Sequence, residues 1–223
     1  MGWVEFVALV AAFYILHSAP VRPPMRPWLI ARLGHTGFVI AYSALSLALL
    51  VAVFVAAQRV PFVPLWPEPP GAKWLVLLAM VAACLILAFG LFRPNPFSFG
   101  GWRNQNFDPE RPGLLRYVRH PVLAALLLWA GAHLVVNGDL AYAMLFGSFA
   151  LFALLGMPLI DRRRQRDMGA AAWRQAVARM RAAPLSRPAS VLPRIVAGLA
   201  GVVLLLLLHP WFAGVSVLWR FLP

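Results

Sequence analysis

Apolar residues run along the chain in six blocks, about Gly2 to Ala19, Gly37 to Ala57, Trp74 to Phe92, Val122 to Val136, Leu140 to Ile160 and Leu192 to Trp219. Most approach the roughly 20 residues a helix needs to cross a bilayer. The pattern predicts an all-α, polytopic membrane bundle of about six transmembrane helices, forming a single domain over 1–223. Within it, 161–191 reads as a basic cytoplasmic connection and 192–223 as a C-terminal transmembrane segment. The fourth block is short, but Asn137, Gly138 and Asp139 form a turn signal, so blocks four and five are expected to make a tight antiparallel hairpin. His209 and Pro210 interrupt the last block, where the helix is expected to kink, or to end and continue along the interface. No Lys or Arg precedes the first block and Glu5 lies inside it, so it is expected to stay as a helix and not to be removed as a signal.

The polar positions between the blocks are dominated by arginine. The chain has 20 Lys and Arg against 7 acidic residues, a net charge of +13. Of these 20 basic residues, 17 fall in the first, third and fifth connections, which leaves Arg59, Lys73 and Arg220 for the opposite face. Cytoplasmic loops attract basic residues, so both termini are expected to be non-cytoplasmic. The same asymmetry explains the surplus charge without nucleic acid, and no nucleic-acid partner is expected. An apolar share of 62%, against about 45 to 50% for soluble domains, excludes an ordinary globular protein. The single cysteine, Cys84, excludes an intrachain disulfide and reads as core filling.

Two of the connections are more than tethers. Between Arg93 and Arg119 the chain reads PNPFSFGGWRNQNFDPERPG, where proline, glycine and asparagine forbid regular helix and aromatics favour the interface, so an ordered loop is expected. The fifth connection begins DRRRQRDMGAAAWRQAVARMRAAP. Trp173, Val177 and Met180 stand at helical spacing among arginines from Arg162 to Arg181, which suits an interfacial helix on an anionic leaflet. A solvated basic helix with no lipid preference fits the same pattern.

Five histidines carry the candidate chemistry. An ionisable group deep in an apolar run is costly in lipid and marks a site, and His133 is the clearest case. At about 1.5 Å of rise per residue, His133 lies roughly 7 Å outward of its helix midpoint, with His209 at a comparable depth. His17, His35 and His120 gather near the cytoplasmic face. His120 and His133 are separated by roughly 20 Å along one helix, so a single ion cannot bind both. Each histidine also has a structural reading: an interfacial hydrogen bond for His17 and His35, the first helical turn for His120, and an interhelical hydrogen bond for His133 and His209.

No Gly-rich phosphate loop, paired cysteines, HExxH or GxSxG accompanies them, and the apolar blocks hold no pair of carboxylates, so hydrolysis and phosphoryl transfer are poorly supported. Imidazoles among aromatic and aliphatic helices suit a haem held in a bundle.

His17 and Ser18 at the end of the first block, Tyr42, Ser43 and Ser46 in the second, NPFSFG from Asn95 to Gly100, RHP from Arg119 to Pro121, HLVVNGD from His133 to Asp139, and HPWFAGV from His209 to Val215 together resemble the NnrU family. The resemblance spans nearly the whole chain. It implies a protein of the bacterial inner membrane linked to nitrogen-oxide metabolism in denitrifying bacteria. A relative of that family, the 15-cis-zeta-carotene isomerase, binds haem b through histidine, which extends the implication to haem b and to isomerase-like chemistry on a lipophilic substrate. His17 and His133 match the histidines best placed as ligands, and His120 with Arg119 matches the RHP pair. By depth, however, His17 lies roughly 10 Å inward of the midplane, so His209 is the better partner for His133. A more distant similarity, of RHP heading a helical hairpin, is to the isoprenylcysteine carboxyl methyltransferases, where Arg119 and His120 would hold S-adenosylmethionine; only Asp161 and Asp167 stand for that family's acidic residues. A non-catalytic accessory protein with structural histidines is the remaining reading.

Overall fold

The computed structural model describes residues 1–184, 191–215 and 217; Arg187, Trp219 and Arg220 lie outside the described residues. Among these the regular structure is helical: α1 (Trp3–Ser18), α2 (Met25–Ala57), α3 (Ala72–Gly90), α4 (Pro121–Val136), α5 (Leu140–Met168), α6 (Ala170–Ala182) and α7 (Val191–Ala213). Four of them, α2, α3, α5 and α7, are long and apolar enough to cross a membrane, and α1 and α4 are shorter apolar helices. At 16 residues each, α1 and α4 are about 24 Å long. The chain is a helical membrane protein by this architecture.

The helices form two compact units, one of Met1–Trp66 with Asp139–Leu145, the other of residues 67–138 with those from 146 onward. In the first, α1 packs on α2, burying Phe6 and Phe13 from one and Phe38, Val53, Ala56 and Ala57 from the other. α2 breaks at Gly34, whose φ of +68° is strained for any side chain, so its basic first turns and its long apolar part have separate axes. A bridge between Pro64 and Asp139 ties the segment after α2 to the head of α5. There Asp139 Oδ1 accepts from the backbone N–H groups of Ala141 and Tyr142, at 3.0 and 3.2 Å, which caps α5.

In the second unit α3 packs against both α4 and α7. Gly90 ends α3 so close to α4 that a Cβ there would stand 2.4 Å from Pro121 Cβ. On the other side Gly198 of α7 would place a Cβ 2.8 Å from the Leu85 side chain and 3.3 Å from its Cα. Cys84 is buried there, facing Gly201. The expected hairpin of α4 and α5 is present within this unit: Leu123 meets Gly156, Trp129 meets Phe149, and His133 meets Phe146, so partners descend on one helix as they ascend on the other.

Two helix ends and the direction of one helix face differ from the expectation. α5 does not stop at Ile160 but continues to Met168, because arginine is a good helix former and only the hydropathy changes at Asp161. α7 passes through Pro210 and ends at Ala213, followed by Gly214 at φ +70°. Finally, α6 turns its apolar face onto the 93–119 loop: Val177 and Met180 are buried with Phe97 and Leu115, and Trp173 and Phe107 pack against this cluster. The residues expected to face lipid are thus covered by protein, while Arg174, Arg179 and Arg181 stay exposed.

The glycine contacts predict a ranked stability series in detergent. Gly90→Ala is expected to cost about 1–3 kcal/mol, because a proline ring cannot swing aside. Gly198→Ala should cost less, since the nearest obstruction is a leucine tip. Gly131→Ala, which meets nothing within 4 Å, should be neutral or stabilising by up to about 1 kcal/mol. Thermal midpoints in any other order would contradict the packing described.

Candidate functional site

The 93–119 loop is built around Asn95. Its Oδ1 accepts from the N–H of Phe97 at 3.1 Å, which closes an Asx turn, and its Nδ2 donates to the carbonyl of Arg119 at 3.0 Å. Asn104 Oδ1 in turn accepts from the Asn95 N–H at 2.9 Å. These bonds bury Asn95, Ser98 and His120, the only buried polar side chains among the described residues. The ordered loop read from NPFSFG is therefore real, and it delivers Ser98 to the mouth of α4.

His120 precedes α4 and bonds on both sides, Nδ1 to Ser98 Oγ at 3.0 Å and Nε2 to Asp161 Oδ1 at 3.2 Å. A carboxylate only accepts, so in the neutral ring Nε2 carries the proton and Nδ1 accepts from the Ser98 hydroxyl. Arg119 donates to the other oxygen of Asp161 at 2.6 Å. Its guanidinium lies 5.7 Å from the centre of the Trp173 ring. Arg164 reaches the Ser98 carbonyl at 3.3 Å. Arg119 Nε and Trp173 Nε1 are buried donors with no acceptor among the described residues. Burial holds the His120 pKa below its ordinary value, and the Arg119 charge pulls the same way; the Asp161 carboxylate opposes both without reversing them.

His17 lies in the first unit and its nitrogens face α2. Nδ1 is 3.2 Å from both Ser46 Oγ and Tyr42 Oη, and the Tyr42 hydroxyl also donates to the His17 carbonyl at 3.0 Å. Phe13 stacks on the same imidazole, centroids 5.4 Å apart. The sequence reading grouped His17 with RHP; its hydrogen bonds run instead to Tyr42 and Ser46. His35, beside the break at Gly34, is exposed.

His133 is placed differently. Its Nδ1 lies 2.8 Å from the Trp129 carbonyl one turn back, and its ring is enclosed by Trp129 and Phe146, centroids 5.5 and 5.1 Å away. His209 repeats the pattern, with Nδ1 2.8 Å from the Val215 carbonyl. A carbonyl accepts only, so in each neutral ring Nδ1 bears the hydrogen and Nε2 the lone pair. The helices that carry them, α4 and α7, both pack on α3. A metal-bound histidine has the same arrangement, its second nitrogen held by a carbonyl, so the Nε2 of His133 and of His209 is the atom that could hold a metal-containing cofactor. His120, with both nitrogens committed, offers no such atom. No group of three or more His, Cys, Asp or Glu able to hold a bare metal ion occurs among the described residues.

Asp161 is the residue that sequence reasoning undervalued, as a lone acid amid arginines. Its signal was its position: the first residue after an apolar block, at the level of RHP across the hairpin. Two outcomes follow. Asp161→Ala strands Arg119 and His120 and should destabilise the protein by about 3 kcal/mol; a thermal midpoint unchanged in detergent would show the clamp is idle. Since His120 binds its proton less readily folded than unfolded, stability should fall as pH drops through about 6.5 and below, with the loss levelling off beneath the lowered folded value. Melting profiles against pH should be flatter for His120→Gln than for the parent, and parallel profiles would remove His120 as the cause.

No curated protein and no solved structure matches this chain. A family model described as NnrU protein matches residues 5–217, taking in both histidine-bearing units and the loop between α3 and α4. The chain belongs to the NnrU family.

Proposed function

We propose that this membrane protein binds haem b, which His133 and His209 would hold. The observation that carries the reading is that both rings give Nδ1–H to a backbone carbonyl, at 2.8 Å in each case, and so present Nε2 as a lone-pair donor. Trp129, Phe146 and Phe149 supply apolar walls beside His133. The porphyrin iron, when bound, supplies one-electron redox chemistry. The protein's own part is to fix two imidazole tautomers and, at His133, to surround the ring with aromatic side chains. His17, bonded to Tyr42 and Ser46, serves the fold of its unit in this reading and is the weaker ligand candidate.

The proposal extends to six membrane crossings, with α1 and α4 spanning a locally thinned or tilted path, both termini outside the cytoplasm, and a bacterial inner membrane as the location. Arg162 to Arg181 then face the anionic leaflet, and they do so by charge alone because the apolar face of α6 is already covered. The role we assign is in nitrogen-oxide metabolism or in haem-dependent, isomerase-like conversion of a lipophilic substrate.

The full-length protein purified in mild detergent is expected to show a Soret band. His133→Ala should lose at least about 90% of it, as an axial ligand with an oriented second nitrogen requires. His209→Ala should retain haem with a shifted spectrum, and His17→Ala and His120→Ala should retain the parent spectrum. Folded protein that stays colourless when haem is supplied would end this proposal. A band that survives in His133→Ala but disappears in His17→Ala would move the site to the first unit.

A further inference from the structure

Where α1 ends, the first unit holds a cavity of about 480 Å³, with Ile15, Ser18 and Ala19 on one side and Arg22, Pro23 and Met25 of the turn into α2 on the other. That volume lies within the roughly 300–1,000 Å³ of small-molecule sites. No ion pair or side-chain hydrogen bond of Arg22 or Ser18 occurs among the described residues. The acids of this unit are committed elsewhere: Glu5 Oε2 accepts from the Gly2 N–H at 2.8 Å, at the opposite end of α1, and Asp139 caps α5. Against those two acids the unit carries Arg22, Arg26, Arg32 and Arg59. The cavity is therefore lined by a cation that lacks an anion.

The face of α1 above the cavity indicates what brings the anion. Val4, Ala8, Ala11, Ile15 and Ser18 follow one another at helical spacing of four and three, so they share one face, opposite the buried Phe6 and Phe13. Val4 is 84% exposed and Ile15 62%, and Ala8 and Ala11 between them are exposed as well. This apolar stripe, shallow at its two alanines, runs about 16 Å along the helix from Val4 to Ile15. Its foot is the Ser18 hydroxyl and then Arg22. Just beyond, Trp28 is exposed with the Arg32 guanidinium 5.1 Å from its ring centre, a pairing suited to the headgroup level of a bilayer. An apolar track that ends in a cavity with a hydroxyl and a guanidinium matches an acyl chain carrying a phosphate.

We propose that this cavity seats an anionic phospholipid, at a site separate from the histidines and from the exposed arginines of α6. The Arg22 guanidinium and the Ser18 hydroxyl donate to the phosphate oxygens, and one acyl chain lies along the stripe from Ile15 to Val4.

The test uses full-length protein in mild detergent, titrated separately with phosphatidylglycerol, phosphatidylcholine and inorganic phosphate and read by native mass spectrometry. Phosphatidylglycerol should bind, about tenfold more weakly in Arg22→Gln and about threefold more weakly in Ser18→Ala, as the loss of a charge-assisted and of a neutral hydrogen bond would give. Ala19→Phe, which fills the cavity without changing any charge, should also weaken binding about tenfold. Arg59→Gln, at the other end of α2, should keep all the affinity. Arg22 is exposed, so Arg22→Gln remains informative if Ala19→Phe fails to fold. Undiminished binding in Arg22→Gln would overturn the proposal, as would phosphatidylcholine binding as tightly or phosphatidylglycerol not binding at all. Inorganic phosphate displacing the lipid at equal concentration would assign Arg22 to a free anion and overturn the phospholipid reading.

Discussion

The carboxylate of Asp161, shared between Arg119 and His120, sets the register of α4 against α5. It joins the last apolar turn of α5 to the mouth of α4, and Asp139 caps α5 at its other end. Between these two acids the helices have little freedom to slide, because apolar side chains in a membrane setting interlock without a directional preference of their own. His133 meets Phe146 and Trp129 meets Phe149 as consequences of that register. A slip of one turn would move each contact by about 5.4 Å and open the apolar wall around His133.

The clamp also explains why a chain with so few acids can carry so many arginines. Three that reach into the protein have partners there: Arg119 in Asp161, Arg116 in the carbonyl of Ala183, Arg164 in that of Ser98. Arg162, Arg163 and Arg166 of α5 and Arg174, Arg179 and Arg181 of α6 are exposed. The loop around Asn95 and the apolar face of α6 cover each other, so a polar loop and an amphipathic helix together make a small second core at the end of α3 and α4.

Much of this was legible in the residues. All six apolar blocks have helical counterparts, and the first, third and fourth keep close to their expected limits, because an apolar run of that length has few alternatives. Gly138 and its neighbours announced the hairpin, and NPFSFG announced an ordered loop. The end of α5 was not legible, since hydropathy reports the edge of the membrane while helix propensity, which arginine satisfies, decides where the helix stops. The direction of the α6 apolar face was not legible either: Trp173, Val177 and Met180 give the same spacing whether they face lipid or protein. The partners of His17 and His120 depend on contacts between residues 22 to 41 positions apart, which no local pattern encodes. The tautomers of His133 and His209 emerge only when the carbonyls of Trp129 and Val215 are in place.

The two layers of histidine thus have different physical characters. The layer at the mouth of α4 is saturated with hydrogen bonds and acts as structure, whereas His133 and His209 each keep one nitrogen back. That distinction is the centre of the account, and it is tested most directly by the haem content of the purified full-length protein, measured as the pyridine haemochrome against protein mass. The account predicts about one haem per chain, held at the two reserved nitrogens. Well-folded protein from haem-replete cells with a ratio near zero would contradict it.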